Sequence, residues 1–268
     1  MTVKTFPLTG PINLSARLGH GSLLVRCRDD LSEACVELAA RPGAEDYLRR
    51  VTVEMMGPTL TINAPRQGGV FDLLGDLWRK HAGVDVTVTV PSGTAMKVST
   101  FTAAVRVEGR CGGADLANGS AEIHIEHVDG DLRLRSGSAR TTIRAVSGSV
   151  VVRSGAGDAH FGEIAGDLQC GCGSGLIEAR LVRGNVRVRT GAGEARLGAA
   201  YGNVDLASGS GPMSVGLPSG VTAKLDLQTG SGRVHSDLPI EERPATTKGA
   251  ITVRARTGSG DVHLFRAA

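Results

Sequence analysis

The residues with chemical potential crowd into one stretch, Ser147 to Gly211, which holds Cys170-Gly-Cys172 and a run of Gly-x-Gly units. Thiolates ligate zinc or attack electrophiles, and glycine-rich loops cradle phosphate through their backbone N–H groups. Each chemistry has a spacing it requires. Structural zinc needs paired ligands such as Cys-x2-4-Cys; Cys170 and Cys172 are too close, and no second pair accompanies them. A phosphate loop follows a strand and opens a helix, whereas "GSGLIEARL" (173–181) and "GAGEARLG" (191–198) open strand-like alternation. Calcium-binding nonapeptides need tandem Gly-Gly-x-Gly-x-Asp units; "SGAGD" (154–158) and "TGSGD" (257–261) carry half of one. His124 and His127 are expected on opposite strand faces. The expectation is no metal, no cofactor and no catalytic residue.

Glycoside hydrolysis needs two facing carboxylates about 5–10 Å apart. Glu122, Asp158 and Glu194 point outward, but Arg140 interrupts them, as in a charge-balanced sheet. Asp131 and Asp167 would stand about 9.6 Å apart by strand spacing, on a corner shared with Asn185 and Asn203. Polar corner residues account for them without chemistry.

Arginines carry the clearer signal. Arg133, Arg135, Arg153, Arg187, Arg189, Arg254 and Arg256 fall at outward positions between inward apolar residues. A basic sheet face suits an acidic polymer or an acidic protein. The face has no aromatic stacking platforms, which argues against single-stranded nucleic acid.

The elements that must position these arginines repeat. Gly130, Gly148, Gly166, Gly184, Gly202 and Gly220 are each eighteen residues apart, and so are Gly119, Gly137, Gly155, Gly173, Gly191 and Gly209. Apolar residues keep the same phase: Leu132, Val150, Leu168, Val186 and Val204, then Leu134, Val152, Cys170, Val188 and Leu206. Within a segment they alternate every second residue, the period of a strand. One such unit cannot bury its apolar face; stacked units can. The chain is therefore expected to be all-β, a parallel β-solenoid (single-chain β-helix) with coils of about eighteen residues. In this scheme Cys170 takes an inward Val/Leu place and Cys172 a Ser/Thr place. The Thr-Gly-Ser-Gly corners at Gly230 and Gly258 continue the series in chain order, with a loop around "DLPIEERPATTKG" (237–249).

Residues 1–104 lack the phase and read as a strand-rich N-terminal portion, continuous with the repeats of 105–268 and capping them. "GAEDYLRR" (43–50) has helical composition, and Val51–Met55 with Leu60–Ala64 reads as a hairpin. "QGGVFDLLGDLWRKHAG" (67–83) places Phe71, Leu74, Leu77 and Trp78 on one helical face.

Composition agrees. The chain has 268 residues, 38 of them Gly, with 41% apolar, 21% charged and 3% aromatic residues and a net charge of +3. That charge is too mild to name a nucleic-acid partner. No run reaches the roughly 18 apolar residues of a membrane span, and the first residues form no apolar signal-peptide core. With five cysteines, an odd number, reduced thiols and a cytoplasmic location are expected.

"TGSGDVHL" (257–264), "TGSGRVHSDLP" (229–239), the "GNVDLASG" type of segment (202–209), "VDVTVTVPSG" (84–93) and "INLSARLGHGSLLVRC" (12–27) resemble a bacterial β-helical family of unknown function known as putative adhesins. The resemblance covers most of the chain and implies a β-helix with a surface or interaction role. The expected function is non-enzymatic binding or scaffolding. The alternatives are a self-associating structural solenoid, with a second copy as partner, and a carbohydrate-active β-helix enzyme.

Overall fold

Leu132 and Leu134 are buried while Arg133 and Arg135 are exposed, and that alternation holds along most strands. The computed structural model describes residues 2–64, 83–239 and 250–267. The expected amphipathic segment 67–83 lies outside the described residues apart from Gly83, as does most of the loop expected at 237–249. The protein is all-β, with two large, mostly parallel sheets. It divides into two compact units, Met1–Ala139 and Arg140–Ala268.

In the first unit the strands are β1 (Thr2–Pro7), β2 (Asn13–Leu18), β3 (Gly21–Arg28), β4 (Glu33–Ala40), β5 (Thr52–Met56), β6 (Thr59–Asn63), β7 (Val84–Pro91), β8 (Ala95–Thr100), β9 (Ala104–Cys111), β10 (Ala114–Asn118), β11 (Ile123–Val128) and β12 (Leu132–Ser136). Residues 43–50 supply a single helical turn, α1 (Glu45–Leu48), anchored by buried Tyr47. The expected hairpin is present as the antiparallel pair β5–β6. One sheet runs β1-β4-β7-β3-β9-β11 and the other β5-β6-β2-β8-β10-β12. The order is not that of the chain. β2 lies between β6 and β8, and β3 between β7 and β9, each pairing parallel on both sides. Antiparallel β4 and β1 close the first sheet. The outer strand, β1, is largely exposed and carries Lys4 and Pro7, residues that discourage edge-to-edge pairing.

In the second unit the strands are β13 (Thr141–Val146), β14 (Val150–Ala156), β15 (Ala159–Ile164), β16 (Leu168–Ser174), β17 (Leu176–Val182), β18 (Val186–Thr190), β19 (Glu194–Ala200), β20 (Val204–Ser210), β21 (Met213–Leu217), β22 (Ala223–Thr229), β23 (Val234–Ser236), β24 (Ile251–Ser259) and β25 (Val262–Arg266). Alternate strands pair parallel with partners eighteen residues on: Val150 with Leu168, Leu168 with Val186, Val186 with Val204. Inward residues such as Leu132, Leu168 and Ile164 are almost wholly buried. Each contributes about 1.5–3 kcal/mol relative to an exposed position.

Polar corners lock the stack. Asp167 Oδ1 accepts the Asn185 N–H at 2.7 Å, Asn185 Oδ1 accepts the Asn203 N–H at 3.1 Å, and Asn203 Oδ1 accepts the Thr252 N–H at 2.8 Å. The corner expected from Asp167, Asn185 and Asn203 is thus a hydrogen-bonded ladder, and it continues to Thr252 rather than to a residue near 221.

That last step departs from chain order. β24 pairs with β20 on one side and β22 on the other, and β25 likewise separates β21 from β23. Gly258 packs on Gly209, and Gly230 packs on Gly258. The later segment therefore sits between two earlier ones, correcting the expectation that the series continues in sequence. The approach is close enough that a Cβ on Gly258 would meet the Gly209 carbonyl oxygen at 2.6 Å.

Candidate binding site

Cys170 sits opposite Val152 and Val188, and Cys172 opposite Ser154 and Thr190. Both are buried. Burial pushes the Cys170 thiol up to about 12 and raises that of Cys172, whose Sγ donates to the Ser174 carbonyl at 2.8 Å. All five cysteines are free. Neither member of the Cys-Gly-Cys offers a thiolate at neutral pH.

Three of the carboxylates considered for hydrolysis are tied into structure. Asp158 accepts the Leu176 N–H at 3.0 Å, Asp167 holds Asn185, and Glu194 pairs with Arg196. A bulge between Ile125 and His127 breaks the alternation expected to put His124 and His127 on opposite faces. Both are part-exposed.

The seven arginines expected to form a basic face are exposed at outward positions, in two settings. In the second unit Asp205 stands opposite Arg187 and Arg254, and Asp226 opposite Arg254. Across β18-β20-β24-β22 this gives a row of alternating sign: Arg187, Asp205, Arg254, Asp226. Arg189 and Arg256 lean into the same row, reaching Asp205 at 2.6 Å and Asp226 at 2.9 Å. The two carboxyl groups lie below the usual carboxylate range, Asp205 chiefly through its hydrogen bond from Arg189 and Asp226 through those from Arg254 and Arg256. Arg153 makes no salt bridge among the described residues.

Arg133 and Arg135 belong to the first unit. Arg135 bonds Asp115 through Nη2 at 2.9 Å and 3.2 Å, and Arg133 makes no salt bridge among the described residues. Beside them the outer face of the second sheet hollows into a cavity of about 560 Å³ lined by Arg17, Lys97, Arg135, Asp115, Asn63 and Ser15, among others. Register explains the hollow. One row across the sheet reads Thr61, Ser15, Lys97, Asp115, Arg133, and the next reads Asn63, Arg17, Ser99, Ala117, Arg135. Small Ser15, Ser99 and Ala117 alternate with long cationic side chains, which form walls around them. Among the described residues, three cations face one carboxylate there. Arg17 and Lys97 are exposed and make no salt bridge among the described residues. Sequence alone singled out Arg135 but missed Arg17 and Lys97. Their outward places in "NLSARL" and "AMKVST" were readable, and Lys97 stands eighteen residues before Asp115; the neighbourhood of Arg17 was not readable, because β2 enters the sheet out of order.

The size of the hollow falls in the range of small-ligand sites, and its polarity suits an anion flanked by hydroxyl groups. The chain is similar to bacterial proteins described as putative adhesins. One, from Bacteroides fragilis, is 14% identical over 98% of this chain and 96% of its own, with a TM-score of 0.48. Another, from Parabacteroides merdae, is 13% identical over 99% and 96%, with a TM-score of 0.43. A protein from Parabacteroides distasonis described as a putative lipid binding protein is 11% identical over 98% and 97%, with a TM-score of 0.35. Likeness at this level carries no inference about ligand. No family model matches the chain, and no curated protein matches it. Among the described residues, no helix is long and apolar enough to cross a membrane.

Proposed function

We propose that the chain is a non-enzymatic binding or scaffolding protein, built as a parallel β-solenoid, that holds an acidic polymer against the cationic hollow of its first unit. The repeated eighteen-residue register of parallel partners supports the solenoid. The observation that carries the binding site is the cavity of about 560 Å³ walled by Arg17, Lys97 and Arg135. A point charge on Lys97 and two guanidinium forks recognise carboxylate or sulfate groups. Ser15, Ser99 and Asn63 supply neutral hydrogen-bond partners of the kind a sugar hydroxyl needs. An acidic polysaccharide segment meets both demands, and the lack of aromatic platforms among the described lining residues disfavours nucleic acid. A non-enzymatic role agrees with the engagement of Asp158, Asp167 and Glu194 in structural hydrogen bonds or ion pairs.

Binding of polygalacturonate and of heparin, followed by calorimetry across a salt series, tests this. The full chain is expected to bind at low salt and to weaken as salt screens exposed charge. R17A/K97A/R135A should bind at least about tenfold more weakly, on the order of the loss of several charge-assisted contacts. Unchanged affinity in that triple variant, with its unfolding midpoint intact, would overturn the site.

A further inference from the structure

Strand pairing at the far edge of the second unit brings three ligand-capable side chains together. β23 pairs parallel with β25 and puts His235 directly opposite His263. Neighbouring strands lie about 4.8 Å apart, and the two rings stack with centroids 5.2 Å apart and planes 30° from parallel. Asp237 follows just beyond the end of β23. Its N–H donates to the Leu264 carbonyl at 2.9 Å, which brings the carboxylate back against both rings. Oδ1 lies 2.8 Å from His235 Nε2 and Oδ2 lies 2.9 Å from His263 Nε2. The three ligand-capable atoms all lie within 4.8 Å of one another.

We propose that His235, Asp237 and His263 form a binding site for a divalent transition-metal ion of the zinc class. Bonds of about 2.0–2.1 Å in tetrahedral geometry separate ligand atoms by about 3.3 Å. The two carboxylate-to-imidazole separations, 2.8 and 2.9 Å, lie within about 0.5 Å of that value, so small rotations of exposed side chains admit the ion. Two imidazoles and one carboxylate are a borderline donor set, suited to Zn2+, Ni2+ or Cu2+ over the hard cations Mg2+ and Ca2+. Three protein ligands leave a position for water. Each ring that now donates from Nε2 carries its proton on Nδ1 once the metal is bound, and a protonated ring releases one proton to solvent. Ring orientation is held in advance: His263 packs at 5.6 Å against Phe265 on one side and against His235 on the other. The site belongs to the second unit and is independent of the cationic hollow.

Titration of the full chain with ZnCl2 at pH 7.5, and with Co2+ monitored by absorbance, tests the assignment. One equivalent is expected, with no thiolate charge-transfer band from Co2+. H235A, H263A and D237N should each weaken binding at least about tenfold. H160A should bind as the parent does, although His160 also faces a carboxylate, with Nδ1 2.8 Å from Glu178. No binding by the full chain, binding that survives H263A undiminished, or a thiolate band would each overturn the proposal. Because these side chains are exposed, the variants should unfold at the parent's midpoint.

Discussion

Arg254 lies directly opposite Asp205 across the β20–β24 pair, with Asp226 facing the same arginine from β22. Had the segments stacked in chain order, Asp205 and Asp226 would have been neighbours, a like-charge pair that costs stability. Insertion of β24 turns that repulsion into alternation. Charge complementarity is one physical reason the out-of-order arrangement is preferred.

Acid should expose this pairing. A carboxyl whose folded pKa is lowered stabilises the fold above its unfolded value, near 3.9, and that contribution is lost as pH falls through the folded value. Asp205 and Asp226 are both lowered by their arginines. The parent should therefore lose stability as pH drops below about 4. D205N/D226N should be less stable at pH 7 and lose less on acidification. Urea midpoints at pH 7 and pH 3 measure both effects. An equal acid loss in parent and variant would remove these pairs from the account.

Asp115 is the one carboxylate lining the hollow among the described residues, and it occupies the Arg135 guanidinium. D115N should free that guanidinium and tighten polyanion binding by about threefold to tenfold at low salt, as expected for removing one like charge from an exposed site. The gain should shrink as salt rises. Weaker binding in D115N would mean that the carboxylate positions Arg135 for the ligand.

Glycine positions should divide by their surroundings. In G258A the new Cβ would lie 2.6 Å from the Gly209 carbonyl oxygen, so backbone must shift; the expected loss is about 1–3 kcal/mol. A methyl group added at Gly171 would meet nothing within 4 Å, and G171A should change stability by less than about 0.5 kcal/mol. Chemical denaturation of the two variants side by side measures the difference.

Thiol labelling reads the core. Burial raises Cys27 to about 11 and Cys111 and Cys170 to about 12, so these thiols are protonated and enclosed at neutral pH. Cys35 is only half-buried. An aromatic disulfide reagent at pH 7.5 should react with Cys35 first and with the other four only on unfolding. Rapid labelling of Cys170 or Cys172 in the folded chain would contradict the buried placement.

Strands, their inward faces and the corner ladder were legible because each follows from a local rule. Leu132 and Leu134 alternate with arginines, and Asp167, Asn185 and Asn203 recur at one phase. Neighbourhood at the two places where chain order fails was not legible. The steps from Gly209 to Gly230 and from Gly230 to Gly258 are 21 and 28 residues; a period identifies equivalent positions, not which equivalent segments touch. Arg17 gains its place beside Ser99, and Asp205 its contact with Arg254, only from those insertions. Of the arginines expected on a basic face, sequence placed all seven outward; Asp205 stands in phase beside Arg187 and Arg189, and only its second contact, with Arg254, needed the strand order.

The interleaving of β24 between β20 and β22, and of β2 between β6 and β8, also constrains biosynthesis. A ribosome makes β22 before the strand it rests on, and β2 before either of its neighbours. Neither segment can join a growing sheet as it emerges. Each must wait unpaired or be displaced from a provisional partner, and slow translation across residues 223–250 would lengthen the interval in which β22 is open to other chains. Once threaded, β24 has a neighbour on each side and cannot peel away as an edge strand would, so late insertion yields a chain that is slow to come apart.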